Sequence, residues 1–194
     1  MHVLRVVRVL LPVLIVAAVV GAGSSVLSAR PDLQKAKRNV DTSWSSLSGQ
    51  LEHRYVLLTA VDDKLRPIPG PIRTLVGDVD GSLARWRDVR AHTSVATQVT
   101  AANDVEALAR RLVAAAAASP RLRTNAAVLA ALAQFLADPS RTAAVAFNQK
   151  VASYEHERRG PVRAVVASVL GDDAIPVLDT TAPPSAASSG PPSS

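Results

Sequence analysis

The stretch LQKAKRNVDTSWSSLSGQLEHRYVLL, residues 33–58, carries the clearest structural pattern in this chain of 194 residues. Its apolar and aromatic residues recur at steps of three and four: Leu33, Ala36, Val40, Trp44, Leu47, Leu51, Tyr55 and Leu58. Residues at this spacing share one face of an α-helix. We therefore predict a long amphipathic helix over residues 32–65, which must pack against other helices to bury that face.

An uncharged stretch, residues 9–29, precedes this helix and follows Arg5 and Arg8. As a helix it would reach roughly 30 Å, the thickness of the hydrocarbon core of a bilayer. We predict that residues 1–29 form a single-pass anchor in the cell membrane, with the lipid bilayer as partner. The alternative is a cleavable signal peptide and a secreted protein, because small residues at 21–25 follow a basic start and an apolar run. Basic residues on both sides leave the orientation open.

Helical spacing continues downstream of the first helix. Residues 66–71, Arg-Pro-Ile-Pro-Gly-Pro, end that helix because proline lacks a donor and disfavours helical residues before it. The pattern resumes to residue 118, with room for a break near Thr93. Capping residues followed by proline, Ser119-Pro120 and Asp138-Pro139, predict two further helix starts. The first of these helices is expected to turn Leu129 and Leu136 inward.

The predicted fold is all-α: a single N-terminal transmembrane helix followed by an antiparallel bundle of about four long helices over residues 30–171. Residues 172–194 lose the periodicity and are rich in proline and serine. Such a composition buries little apolar surface, so we predict a disordered C-terminal tail.

The net charge of +6 is concentrated in the body. The first 29 residues carry +2 and the residues from Asp172 onward carry −3, so the body carries +7. A basic body could bind anionic lipid or nucleic acid as a peripheral partner, and this stays an alternative. Aromatic residues make up only 3%, which does not favour nucleic acid, whose binding sites usually supply stacking rings.

The residues that carry chemistry do not form a recognisable catalytic motif. The chain has no cysteine, and its histidines lack a paired metal-binding spacing. Asp104 and Glu106 are interpreted as favourable charges in the first turn of a helix, with Asn103 as its cap. We therefore predict no catalytic, cofactor-binding or metal-binding residue, no cofactor, and a protein that is not an enzyme.

Short motifs are spread along the body. They comprise Trp44, Gln50, Leu51 and Arg54 in the first helix, Pro120, Leu122 and Asn125 in the middle, and Phe147, Asn148, Tyr154 and Pro161 near the end. This arrangement resembles the LemA family, whose motifs read Trp, Gln-Leu and Arg-Arg, then Tyr-Pro-x-Leu with Ala-Asn, then two Tyr-Asn pairs and a proline-led ending. The chain departs from that pattern at His53, Ala144 and Glu155, and at Thr59-Ala60 where the family has Pro-Asn.

The resemblance implies a long-helix bundle on a single-pass membrane anchor, and it implies no particular chemistry. We interpret the motif residues as structural: the aromatic rings supply buried area, and the asparagine and arginine side chains fix helix register through buried hydrogen bonds. The predicted function is a non-enzymatic scaffold or interaction module of the bacterial cell envelope. Its partners would be other proteins, or a second copy of the chain through the bundle.

Overall fold

A computed structural model describes residues 3–159 and 174–179, with side chains for residues 31–159 and 174–179. These residues contain five helices: α1 Val3–Leu65, α2 Pro71–His92, α3 Val95–Ala118, α4 Ala126–Ala137 and α5 Ser140–Arg158. The described part of the chain contains no strand, so the predicted all-α helical fold is confirmed. Pro161, one of the motif residues, lies outside the described residues.

The described residues divide into two compact units. The smaller unit combines residues 31–41 of α1 with residues 150–158 of α5, and its buried residues are Leu33, Val40, Val151 and Tyr154. The larger unit combines residues 42–149 with residues 175–179. All the interactions discussed below belong to the larger unit.

The predicted apolar face of α1 supplies core residues, as expected from the sequence. Every member from Trp44 to Leu58 is buried, and Val61 and Leu65 extend it to the end of the helix. In the larger unit, ring edges meet there: the Trp44 and Tyr55 rings lie against Trp86 of α2 with centroid distances of 6.0 and 5.5 Å. Edge-to-face contacts of this kind add to the area that the rings bury.

The chain turns twice where the sequence indicates. Gly70, at φ 90°, supplies the left-handed conformation that leads from the proline-rich turn into Pro71, the first residue of α2. Ser94 then separates α2 from α3 and caps α3, because its hydroxyl accepts from the amide of Thr97. The ion pairs Arg66–Asp80 and Glu52–Arg90 show that α2 runs antiparallel to α1.

The prediction for α4 was wrong in its start and in its face. Residues 120–124 form turns, and α4 begins after Asn125, whose side-chain oxygen accepts from the amides of Ala127 and Val128. Leu129 and Leu136 are 46% and 38% exposed, whereas Val128 and Phe135 are buried. The helix is apolar almost all round, so spacing alone does not select the face that packs.

Two predictions concern the ends of the chain. In the part whose side chains are described, no helix is both long and apolar enough to span a bilayer. The predicted anchor, residues 1–29, lies outside that part. Six residues of the predicted tail, 174–179, are described, and Ile175 and Leu178 among them are buried.

Candidate functional site

The eleven motif residues do not converge on one site. Trp44, Leu51, Arg54, Leu122, Phe147 and Tyr154 are buried, Asn148 is half-buried, and Gln50, Pro120 and Asn125 are exposed. The Trp44 indole donates to the side-chain oxygen of Gln98 at 2.7 Å, and Asn125 caps α4. Most of these side chains therefore hold the bundle together, and two of them, Arg54 and Asn148, make the polar contacts described next.

A buried ion pair joins α1 to α3. The Arg54 guanidinium donates from Nε to one carboxylate oxygen of Glu106 at 2.8 Å and from a terminal nitrogen to the other at 3.1 Å. Its second terminal nitrogen donates to the carbonyl oxygen of Phe135 in α4. The guanidinium carbon of Arg54 also lies 4.0 Å from the centre of the Phe135 ring. The fork geometry of arginine suits such bidentate pairing, so one side chain ties three helices together.

A buried phenol, that of Tyr55, interacts electrostatically with both members of this pair. Tyr55 is buried and its hydroxyl donates to the carbonyl oxygen of Ala102 at 3.4 Å. Burial raises the pKa of Tyr55 well above 10, the Glu106 carboxylate raises it further, and Arg54 opposes this effect. The phenol is therefore neutral throughout the physiological range, which suits a structural hydrogen bond.

Next to this pair lies an extended segment, residues 175–179, which we call the strap. Its residue Leu178 is buried, and two asparagine side chains bind main-chain groups of residues 177–179 from opposite sides. Asn148 of α5 donates to the Leu178 carbonyl and accepts from the Leu178 amide, both at 2.8 Å. Asn103 of α3 donates to the Val177 carbonyl at 2.9 Å and accepts from the Asp179 amide at 2.8 Å.

The two asparagines, the asparagine clamp, take the place of neighbouring β-strands. In an extended chain the amide and carbonyl of one residue point to the same side, and those of its flanking residues point to the opposite side. Asn148 therefore satisfies the side of the strap that Leu178 presents, and Asn103 satisfies the other. Four main-chain polar groups obtain partners in this way without any strand among the described residues.

A charged contact and a small cavity complete the strap site. Arg110 of α3 donates to the Asp179 carboxylate at 2.7 Å and to its carbonyl at 3.3 Å. A cavity of about 20 Å³ lies beside Leu178, room for about one water molecule. Its lining includes Leu51, Arg54, Glu106, Arg110, Ala144, Leu178 and Asp179. We define the strap site as the asparagine clamp, Arg110 and this lining.

The sequence did not predict the roles of the strap-site residues. Asn103 and Glu106 lie in the interior of α3, which begins at Val95, so the prediction that they cap and charge a helix start was wrong. Glu106 is 8% exposed and binds Arg54. The available signal was the helical spacing of Asn103, Glu106 and Arg110, which places polar side chains on adjacent turns of one face.

A buried carboxylate lies near the end of α1. Asp62 is fully buried, and neither of its carboxylate oxygens has a hydrogen-bond partner among the described residues. The pKa of Asp62 is raised from 3.8 to about 7. Burial is the largest cause, the carboxylates of Asp80 and Asp63 also raise the pKa, and Arg66 lowers it. This group titrates near neutral pH, which makes it a pH-dependent element of the fold.

Comparison with known proteins gives no relative: no family model, no curated protein and no solved structure matches the chain. Within the described residues, histidine and carboxylate side chains form no group that could hold a metal ion. The arrangement of the strap site is suited to holding a peptide main chain.

Proposed function

We propose that the chain is a non-enzymatic interaction module of the cell envelope, held at the membrane by residues 9–29, with the strap site as its binding surface. The observation that carries the proposal is the asparagine clamp, which satisfies both polar edges of an extended peptide. Its hydrogen bonds go to main-chain groups, and this is how proteins recognise extended segments of other chains. The resemblance to the LemA family, a bundle on a membrane anchor, supports the same proposal.

The bundle provides a rigid support for such a surface. The strap site draws residues from α1, α3 and α5, and it includes the buried pair Arg54–Glu106. Both charges are nearly inaccessible to solvent, with side-chain exposures of 4% and 10%. Separating such a pair leaves an uncompensated buried charge, so the helices that carry the site are held in one arrangement.

Fractionation tests the anchor. The full-length chain with a C-terminal tag should stay with membranes through a high-salt wash and show its intact mass. Substituting Val16→Arg places a charge at the centre of the apolar stretch, at a cost of about 3 kcal/mol for insertion, and should move the chain to the soluble fraction. A soluble wild-type chain shortened to begin near Gly23 or Arg30 would contradict the anchor and favour the secreted alternative.

Photo-crosslinking tests the binding surface. A benzophenone amino acid is placed at Arg141 of α5, which lines the cavity of the strap site, and as a control at Val56, which is 61% exposed on α1. We expect crosslinks to a protein from position 141 and none from position 56. Equal yields from the two positions would contradict the assignment of the strap site as the binding surface.

A further inference from the structure

The strap is recognised by features that any extended peptide can provide. Four of its contacts are hydrogen bonds between the asparagine clamp and main-chain groups. None of them requires a covalent link between the strap and the bundle. We propose that the strap site binds an extended segment of a partner protein, and that residues 175–179 occupy the site in cis until such a segment replaces them. This inference rests on the proposed function.

The strap itself defines the chemistry of the partner segment. Leu178 is buried and lines the cavity, Ile175 is buried as well, and Val177 is exposed, so the two buried positions of the strap are both apolar. Pro176 has no amide hydrogen to donate, so the site needs no hydrogen-bond acceptor for the main chain at that position. Arg110 binds the carboxylate of Asp179 at 2.7 Å. The expected ligand is therefore an extended segment with an apolar residue, two variable residues, a second apolar residue and an acidic residue.

Occupation in cis has a calculable effect on binding in trans. A tethered segment competes at an effective concentration on the order of 1 mM. Suppose that a free peptide binds the open site with a Kd of about 10 µM and that the strap has the same intrinsic affinity. The apparent Kd of the free peptide is then about 100-fold higher when the strap is in place. The wild-type chain should therefore bind a free peptide weakly, and a chain with a weakened strap should bind it well.

The test uses the full-length chain in detergent micelles and a fluorescent peptide, Ala-Ile-Pro-Val-Leu-Asp-Thr, which reproduces residues 174–180. The strap is weakened by Ile175→Ser together with Leu178→Ser, which leaves every helix residue unchanged. We expect fluorescence anisotropy to give an apparent Kd at least 10-fold lower for this double variant than for the wild type. The matched control Val177→Ser alters an exposed strap residue and should bind as weakly as the wild type.

Two further measurements tie the binding to the site. Adding Asn148→Ala to the double variant should weaken peptide binding at least 10-fold, whereas adding Gln50→Ala, an exposed amide of α1, should not. A peptide with serine in place of the leucine equivalent to Leu178 should fail to bind. Thermal unfolding of each variant shows that the helices are intact, so lost binding is not lost folding.

Three outcomes would overturn the proposal. The first is a double variant that melts like the wild type yet binds the peptide no better. The second is binding that Asn148→Ala leaves unchanged. The third is a wild-type dimer, seen by light scattering, that Leu178→Ser converts to monomer, because the occupant would then be a second copy. A chain that stays with membranes but fails the peptide test contradicts this inference alone, whereas a soluble chain that passes it contradicts only the anchor.

Discussion

The buried carboxylate of Asp62 should make the fold less stable as the pH rises. Its pKa is about 7 in the folded chain and 3.8 as the ordinary value. The folded state therefore binds the proton more tightly than the unfolded state, and stability falls as the pH rises from about 4 to about 7. With about 1.4 kcal/mol for each pKa unit, the total loss is about 4 kcal/mol. Above pH 7 this contribution no longer changes.

The substitution Asp62→Asn isolates this effect, because the amide has the shape of the protonated acid and does not titrate. At pH 4 the variant and the wild type should unfold at similar urea concentrations. At pH 8 the variant should be the more stable by up to about 4 kcal/mol, which for a chain of this size corresponds to roughly 10 °C in the thermal midpoint. Circular dichroism of the full-length chain in micelles, melted at half-unit pH steps, measures both values.

Two control variants separate burial from general charge effects. Asp63→Asn removes a carboxylate whose side chain is 65% exposed and which has the smallest effect on the pKa of Asp62, so it should change the pH dependence less than Asp80→Asn does. Asp80→Asn removes a charge that raises the pKa of Asp62 in the folded state, so the loss of stability should be smaller and should end at a lower pH. If Asp62→Asn and the wild type keep the same pH dependence between pH 4 and pH 8, the carboxylate is not buried in an unfavourable state and the reasoning is refuted.

Three other variants test the buried contacts. Glu106→Gln leaves the Arg54 guanidinium buried without its counter-charge and should lower the free energy of unfolding in urea by about 3 kcal/mol; a loss below about 1 kcal/mol would contradict the pair. Asn125→Ala removes the cap of α4 and should cost about 1 kcal/mol, whereas Asn125→Ser should retain most of it; equal losses would refute the cap. Asn148→Ala should speed hydrogen exchange of the Leu178 amide at least 10-fold, and unchanged exchange would show that the clamp does not hold the strap.

The sequence was informative wherever structure depends on near neighbours. The spacing of apolar and aromatic residues in α1 predicted its buried face, because the helical repeat places residues three and four positions apart on one side. Prolines and Gly70 predicted the turn before α2, because they restrict or free the backbone of their own segment. In α4 the same method failed: with apolar residues on nearly every side, tertiary packing, such as that of Phe135 against Arg54, selects the buried face.

Tertiary structure alone decided the polar contacts. Arg54 and Glu106 are 52 positions apart, and Asn103 and Asp179 are 76 apart, so no local pattern relates them. The raised pKa of Asp62 likewise depends on burial, which the sequence of one helix does not specify. What the sequence determined by itself is the helical fold and the expectation of an anchor, because both follow from local spacing and composition. The strap site needed the folded chain, because its asparagines become binding groups only when distant segments bring an extended peptide between them.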